Sequence, residues 1–178
     1  MIFNCLIAGI GGQGTVLASN LLAAAAMKLG YDVRTTETIG MAQRGGSVVS
    51  HVRIGEDIFS PLIPLGRAHA LIGFDPAEAV RQFPYLAENG KLVSCDGDLD
   101  MTEFIKTNIP GAVIIPGQQI KTKYAKMLNV ALLGAAAQSG VFPFGEDALL
   151  EAISEMEKYR EENIASFELG KRLYYENT

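Results

Sequence analysis

The chain has 178 residues, 48% of them hydrophobic and 20% charged, with a formal net charge of −5. That balance excludes a disordered chain, and residues 1–178 read as a single domain with a sizeable core. Its scattered basic residues exclude a nucleic-acid footprint, and no apolar run is long enough to span a bilayer, so neither nucleic acid nor membrane is an expected partner.

Phe3–Ala8 is an apolar run without alternation, which predicts a strand buried on both faces rather than a secretion signal. Gly9-Ile10-Gly11-Gly12-Gln13-Gly14 follows, and then a helical run, Thr15–Leu29, stopped by Gly30. Tyr31–Thr36 reads as a second strand and Ile39–Gly46 as an irregular stretch. Ser47–Ile54 alternates, which predicts a strand with one polar face carrying His51 and Arg53, and Ile58–Ser60 is expected to return as a hairpin arm. Ala70–Phe74 is a strand, and Pro76–Glu88 a helix with proline at its first position. Lys91–Cys95 and Ala112–Ile115 are strands flanking an acidic turn, Asp96–Asp100, and a short helix, Thr102–Asn108. Lys121–Gln138 is predicted as one long central helix, with two amphipathic helices after it, Gly145–Lys158 and Glu161–Tyr175. Alternating strands and helices predict an α/β, Rossmann-like layered fold: a mainly parallel sheet, one antiparallel hairpin, and helices on both faces.

Strand, glycine turn and helix form the geometry that brings backbone N–H groups to a phosphate, and Gly9, Gly11 and Gly14 fit the G-x-G-x-x-G spacing. A tight structural turn is the alternative. If the ligand is a dinucleotide, Glu37 falls near the position that holds a ribose. Arg44, between Gln43 and Gly45-Gly46, suits bidentate phosphate or carboxylate binding, or else an interface ion pair. Asp96, Asp98 and Asp100 begin like a calcium loop but lack its glycine and closing glutamate, and read as a solvated turn. Gly97-Asp98 is similar to the start of a thiamine diphosphate motif whose remaining residues are missing. His51 and His69 have no metal-ligand spacing, and there is no Cys-x-x-Cys run for an iron–sulfur cluster. Cys5 and Cys95 read as reduced core thiols, which places the chain in the cytoplasm.

Gly9–Gly14, Gln43-Arg44-Gly45-Gly46 and Ser50-His51-Val52-Arg53-Ile54-Gly55 together resemble the gamma subunit or domain of 2-oxoacid:ferredoxin oxidoreductases. Asn129-Val130-Ala131-Leu132-Leu133-Gly134 and Asn163, Ala165 and Gly170 extend the resemblance along nearly the whole chain. A free-standing chain of this size is most similar to the indolepyruvate branch, with the pyruvate and 2-oxoglutarate branches close behind. Ile39-Gly40-Met41-Ala42 replaces the lead-in many relatives carry before Arg-Gly-Gly, which leaves the 2-oxoacid open. The resemblance implies oxidative decarboxylation of a 2-oxoacid to an acyl-CoA with reduction of ferredoxin. It implies coenzyme A at Gly11, Gly12, Gln13, Gly14 and Thr15, with Gln43, Arg44, Gly45 and Gly46 at the same site or at the active-site interface. Thiamine diphosphate, magnesium and iron–sulfur clusters are then expected on a large alpha-type partner subunit, which also carries ferredoxin-like domains. No residue of this chain need act as acid or base, and the chain is expected to be inactive alone. A stand-alone dinucleotide-binding module is the competing expectation.

Overall fold

An apolar strand that does not alternate needs cover on both faces, and helices on the two sides of the sheet supply it. The computed structural model describes residues 1–40 and 45–178. The described residues place β1 (Phe3–Ile10), β2 (Asp32–Ile39), β3 (Ser47–Gly55), β4 (Ala68–Gly73), β5 (Leu86–Cys95) and β6 (Val113–Ile115) in one sheet, ordered β2-β3-β1-β4-β5-β6. β1, β4, β5 and β6 pair in parallel, whereas β3 is antiparallel to both β1 and β2. The sheet is therefore mainly parallel, with β3 alone reversed.

Residues of β1 alternate between two cores. Cys5 and Ile7 face α1 (Thr15–Lys28), α5 (Leu128–Gln138), α6 (Glu146–Ser154) and α7 (Arg160–Glu176). Leu6 and Ala8 face α2 (Pro76–Gln82) and α3 (Leu99–Asn108). Helices cover both faces, as the layered reading requires. α4 (Gly117–Lys123) joins the first core through Ile120.

The antiparallel hairpin is β2–β3, earlier than expected. Ile39 pairs with Val48, and Gly40 N–H donates to Ser47 O at 2.8 Å to close it. Ile58–Ser60 is no strand. It belongs to a loop strapped across β3: Arg53 Nη1 donates to Ser60 O at 2.7 Å, and Ile63 N–H donates to His51 Nδ1 at 3.2 Å. That loop buries the face predicted to be polar, leaving His51 only 3% exposed.

Two predicted helices are shorter than their patterns. α2 stops at Gln82 because Pro84 cannot continue it; a 3-10 turn, Phe83–Tyr85, leads into β5. Gly90 therefore does not end a helix but lies within β5, where a β-carbon would sit 2.6 Å from Ala68 O. The long central helix divides into α4 and α5 between Lys123 and Leu128. At the new start, Ser166 Oγ donates to Met127 O at 2.9 Å and Asn129 Oδ1 takes the Val130 N–H at 2.9 Å. Asn129 thus supplies the partner an unbroken helix would have given the Val130 N–H, while Met127 O, already bonded to Ala131 N–H at 3.1 Å, gains a second donor in Ser166.

α5 is buried from Leu128 through Ala136, hence apolar all round. It can be so because α7 crosses it at backbone contact. A β-carbon on Gly134 would lie 2.1 Å from Phe167 O, and one on Gly170 would lie 1.8 Å from Ala131 O.

Candidate functional site

In an open α/β sheet, ligands bind beyond the carboxyl ends of the parallel strands. That edge here gathers the glycine loop after β1, the β2–β3 connection, Asp75 after β4, Asp96 after β5 and Pro116 after β6. The loop is closed by Gln13, which folds back on Ile10: Gln13 N–H donates to Ile10 O at 3.0 Å, and Ile10 N–H donates to Gln13 Oε1 at 2.7 Å. Gln13 braces the turn with its carbonyl oxygen, which leaves its amide NH2 for a ligand.

The glycines divide their tasks differently from the simple fingerprint. A β-carbon on Gly9 would lie 2.7 Å from Gln13 Oε1 and 3.1 Å from Phe74 Cβ, so Gly9 permits packing. Gly14, at φ 83°, is the N-cap of α1, and its missing side chain leaves room for Asn129. A β-carbon on Gly12, at φ 94°, would meet nothing within 4 Å among the described residues, and Gly12 is exposed. It is the position where a ligand can approach unhindered backbone. Thr15 is 4% exposed, its methyl carbon 3.1 Å from where a Gly9 β-carbon would be, so it presents mainly backbone. α1 has no side-chain cap and no acidic residue in its first turn, and its leading amides face an anion site without a competing carboxylate.

The second predicted segment is brought to the first. Gly11 N–H donates to Gly46 O at 2.9 Å, and Gly45 takes a left-handed φ of 67° beside Ile10. Gln43 and Arg44 lie outside the described residues. Sequence reading did not find what anchors this segment from below: Ser47 Oγ donates to Glu78 Oε2 at 2.6 Å, and Glu78 is buried beside Arg81. The available signal was an acidic residue in the first turn of a proline-started helix, which resembled any helix N-terminus.

Glu37 does not reach a ribose position. The site beside β1 belongs to Ser47, where the reversed β3 begins, and β2 is one strand further out. The Glu37 carboxylate lies 3.4 Å from Ser19 Oγ on α1. Asp98 caps α3 through Met101 N–H at 3.0 Å, and Asp96 Oδ1 takes the Gly117 N–H at 2.6 Å. Two members of the acidic turn thus hold local backbone. His69 Nδ1 accepts from Asn4 N–H at 3.0 Å with its ring stacked on Phe3. Burial holds the His51 imidazole below its usual pKa, in the neutral form.

Both cysteines are buried and free. Burial pushes Cys95 up to about 12, with Asp96 and Asp75 opposing its ionisation and Lys121 favouring it; burial raises Cys5 further still. At pH 8 the Cys95 thiolate fraction is on the order of one in ten thousand. Native protein is therefore expected to resist a thiol-specific dye, reacting only as pH rises toward the shifted value or when urea exposes both thiols. Rapid labelling of native protein at pH 8 would contradict that burial.

This edge presents the backbone donors of an uncapped helix start beside an exposed glycine. The model of the pyruvate ferredoxin/flavodoxin oxidoreductase family matches residues 4–173, and the chain belongs to that family, as a subunit of such an oxidoreductase. It is 32% identical to the indolepyruvate oxidoreductase subunit IorB of Thermococcus kodakarensis, across 94% of each chain. Its fold matches the gamma subunit of a keto/oxoacid ferredoxin oxidoreductase from Geobacter sulfurreducens with TM-score 0.75 at 22% identity, over 98% of this chain and 99% of that one. It also matches the 2-oxoglutarate:ferredoxin oxidoreductase of Magnetococcus marinus, solved with 2-oxoglutarate, coenzyme A and succinyl-CoA bound, with TM-score 0.79 at 23% identity. That match covers 99% of this chain but 32% of the larger one. No helix among the described residues is long and apolar enough to cross a membrane.

Proposed function

We propose that this chain, its 178 residues acting as one unit, is the coenzyme A-binding subunit of a cytoplasmic 2-oxoacid:ferredoxin oxidoreductase whose 2-oxoacid is indolepyruvate or another aryl pyruvate. The observation that carries the reading is Gly12: left-handed, exposed and unobstructed, at the head of an uncapped helix. Within the Gly11–Thr15 loop the Gly11 and Gln13 N–H groups are held by Gly46 O and Ile10 O, so the backbone N–H groups of Gly12, Gly14 and Thr15 would receive the phosphates, with the Gln13 amide, Gln43 and Arg44 as further donors and Gly45-Gly46 keeping the approach open. The similarity to the IorB subunits favours an aryl substrate, and the Magnetococcus enzyme of the same fold holds coenzyme A.

Decarboxylation and electron transfer belong, in this reading, to a large partner subunit carrying thiamine diphosphate, magnesium and iron–sulfur clusters, with ferredoxin as acceptor. The chain's two cysteines are both buried thiols, which is consistent with that division. Calorimetric titration of the assembled enzyme is expected to show coenzyme A binding and no NAD binding, while the isolated chain turns over no 2-oxoacid with a dye acceptor. Saturable NAD binding, or turnover by the chain alone, would overturn the proposal.

A further inference from the structure

The glycine loop owes its shape to a residue far from it in sequence. Asn129 sits at the start of α5 and is 3% exposed. Its carboxamide bonds in two directions: Oδ1 accepts from Val130 N–H at 2.9 Å, and Nδ2 donates to Gly14 O at 3.3 Å. The same Gly14 oxygen accepts from Ala18 N–H at 3.0 Å, opening the hydrogen-bond ladder of α1. A β-carbon on Gly14 would lie 2.4 Å from Nδ2, so the amide occupies the space a side chain would have taken.

Resting on the coenzyme A reading, we propose that Asn129 is a positioning residue for that ligand: by holding Gly14 O it keeps the Gly12, Gly14 and Thr15 amides aimed at the phosphates. The loop needs such a hold. Gly12 and Gly14 both have left-handed φ, 94° and 83°, a region that glycine enters and leaves at little cost. A rotation at either residue would turn an amide away from the ligand.

Asparagine suits the place because one short side chain carries both a donor and an acceptor. Aspartate keeps the acceptor for Val130 but faces the Gly14 carbonyl without a donor. Leucine has the volume and neither bond. Glutamine adds a methylene where the amide already fills the available space.

The test uses the assembled enzyme. Asn129→Asp keeps the shape and loses the donor to Gly14, and Asn129→Ala loses both bonds. Ser166→Ala is the control, removing a buried 2.9 Å bond to Met127 O at the start of the same helix without touching the loop. Both Asn129 variants are expected to raise the half-saturating coenzyme A concentration about tenfold, the loss of one buried hydrogen bond. Coenzyme A-independent decarboxylation should be unchanged in them, and Ser166→Ala should lower only the melting temperature. If an Asn129 variant fails to assemble, Asn129→Ser, which keeps a hydroxyl donor in a smaller volume, is measured in its place and should fall between wild type and a tenfold loss. Half-saturation in the Asn129 variants equal to that of Ser166→Ala overturns the positioning role. Gly12→Val distinguishes the two levels of the argument: intact coenzyme A affinity in that variant overturns the binding reading and this inference together. Weakened affinity in Gly12→Val with no change in Asn129→Asp overturns this inference alone.

Discussion

Gly170→Val is expected to leave little soluble chain, and what remains should melt roughly 10–15 °C below wild type. The cause is geometric. A β-carbon at position 170 would lie 1.8 Å from Ala131 O, and the nearest atoms are all backbone of Ala131, which cannot move aside as a flexible side chain would. The helices would have to separate, opening gaps around Phe167, Leu132 and Leu133, which are all fully buried. Overpacking combined with that loss belongs to the rare class that costs about 4–5 kcal/mol, a large part of a domain's total stability. Gly145→Ala provides the comparison, since Gly145 has an ordinary φ of −70° and open space where the β-carbon would go. Circular dichroism melts of the two proteins decide the matter. A Gly170→Val midpoint within about 2 °C of wild type would show that the α5–α7 crossing tolerates separation.

The second large effect is on binding. Gly12→Val places a branched side chain where the proposed ligand approaches, and Arg44→Ala removes the proposed charge-assisted contact, which would be worth about 1.5–3 kcal/mol, or roughly ten- to a hundredfold in affinity. Gly12→Val also strains the backbone at φ 94°, and that strain must be separated from occlusion. Gly30→Val does so: Gly30 has φ 84° and open surroundings, but lies beyond the other end of α1. Gly12→Val and Gly30→Val should lose similar stability, while only Gly12→Val and Arg44→Ala raise the half-saturating coenzyme A concentration. None should slow coenzyme A-independent decarboxylation of the 2-oxoacid. Unchanged coenzyme A affinity in Gly12→Val and Arg44→Ala, with intact assembly, would leave Gly9–Thr15 as a structural turn and Arg44 as an interface residue.

The stretch from β1 through α1 was legible because its signals are local. A continuous apolar run, glycines that permit a tight turn, and an Ala-rich helix stopped by Gly30 locate β1, the loop and α1 within two residues at each end. What failed depended on distant partners. Nothing local says that β3 inserts between β1 and β2, and with that insertion Glu37 loses its place beside the glycine loop. The polar face of β3 is buried because a later loop satisfies His51 and Arg53. Leu86–Glu88 continued a helical pattern, yet parallel pairing with β4 makes it strand. Ser166 and Asn129 were isolated polar residues in apolar surroundings, and the bond from Ser166 to Met127 O at the α4–α5 break appears only when α7 is in place. For the site, the glycine loop was visible in advance. The Gly11–Gly46 bond that joins it to the hairpin, and the Glu78 anchor beneath, were not.

The backbone contact between α5 and α7 also bears on how the chain is made. α5 is apolar from Val130 through Ala137, and its cover, residues 160–176, is synthesised later. Until α7 has left the ribosome, α5 has no permanent partner along the stripe that Gly134 and Gly170 keep for it, and chain emerging at about 5–20 residues per second leaves that stripe open for one to several seconds. During that interval the nascent chain presents a smooth greasy rod to chaperones and to other nascent chains alike. A ribosome stalled before residue 160 would carry a sheet with most of its strands made and no seal on its central helix.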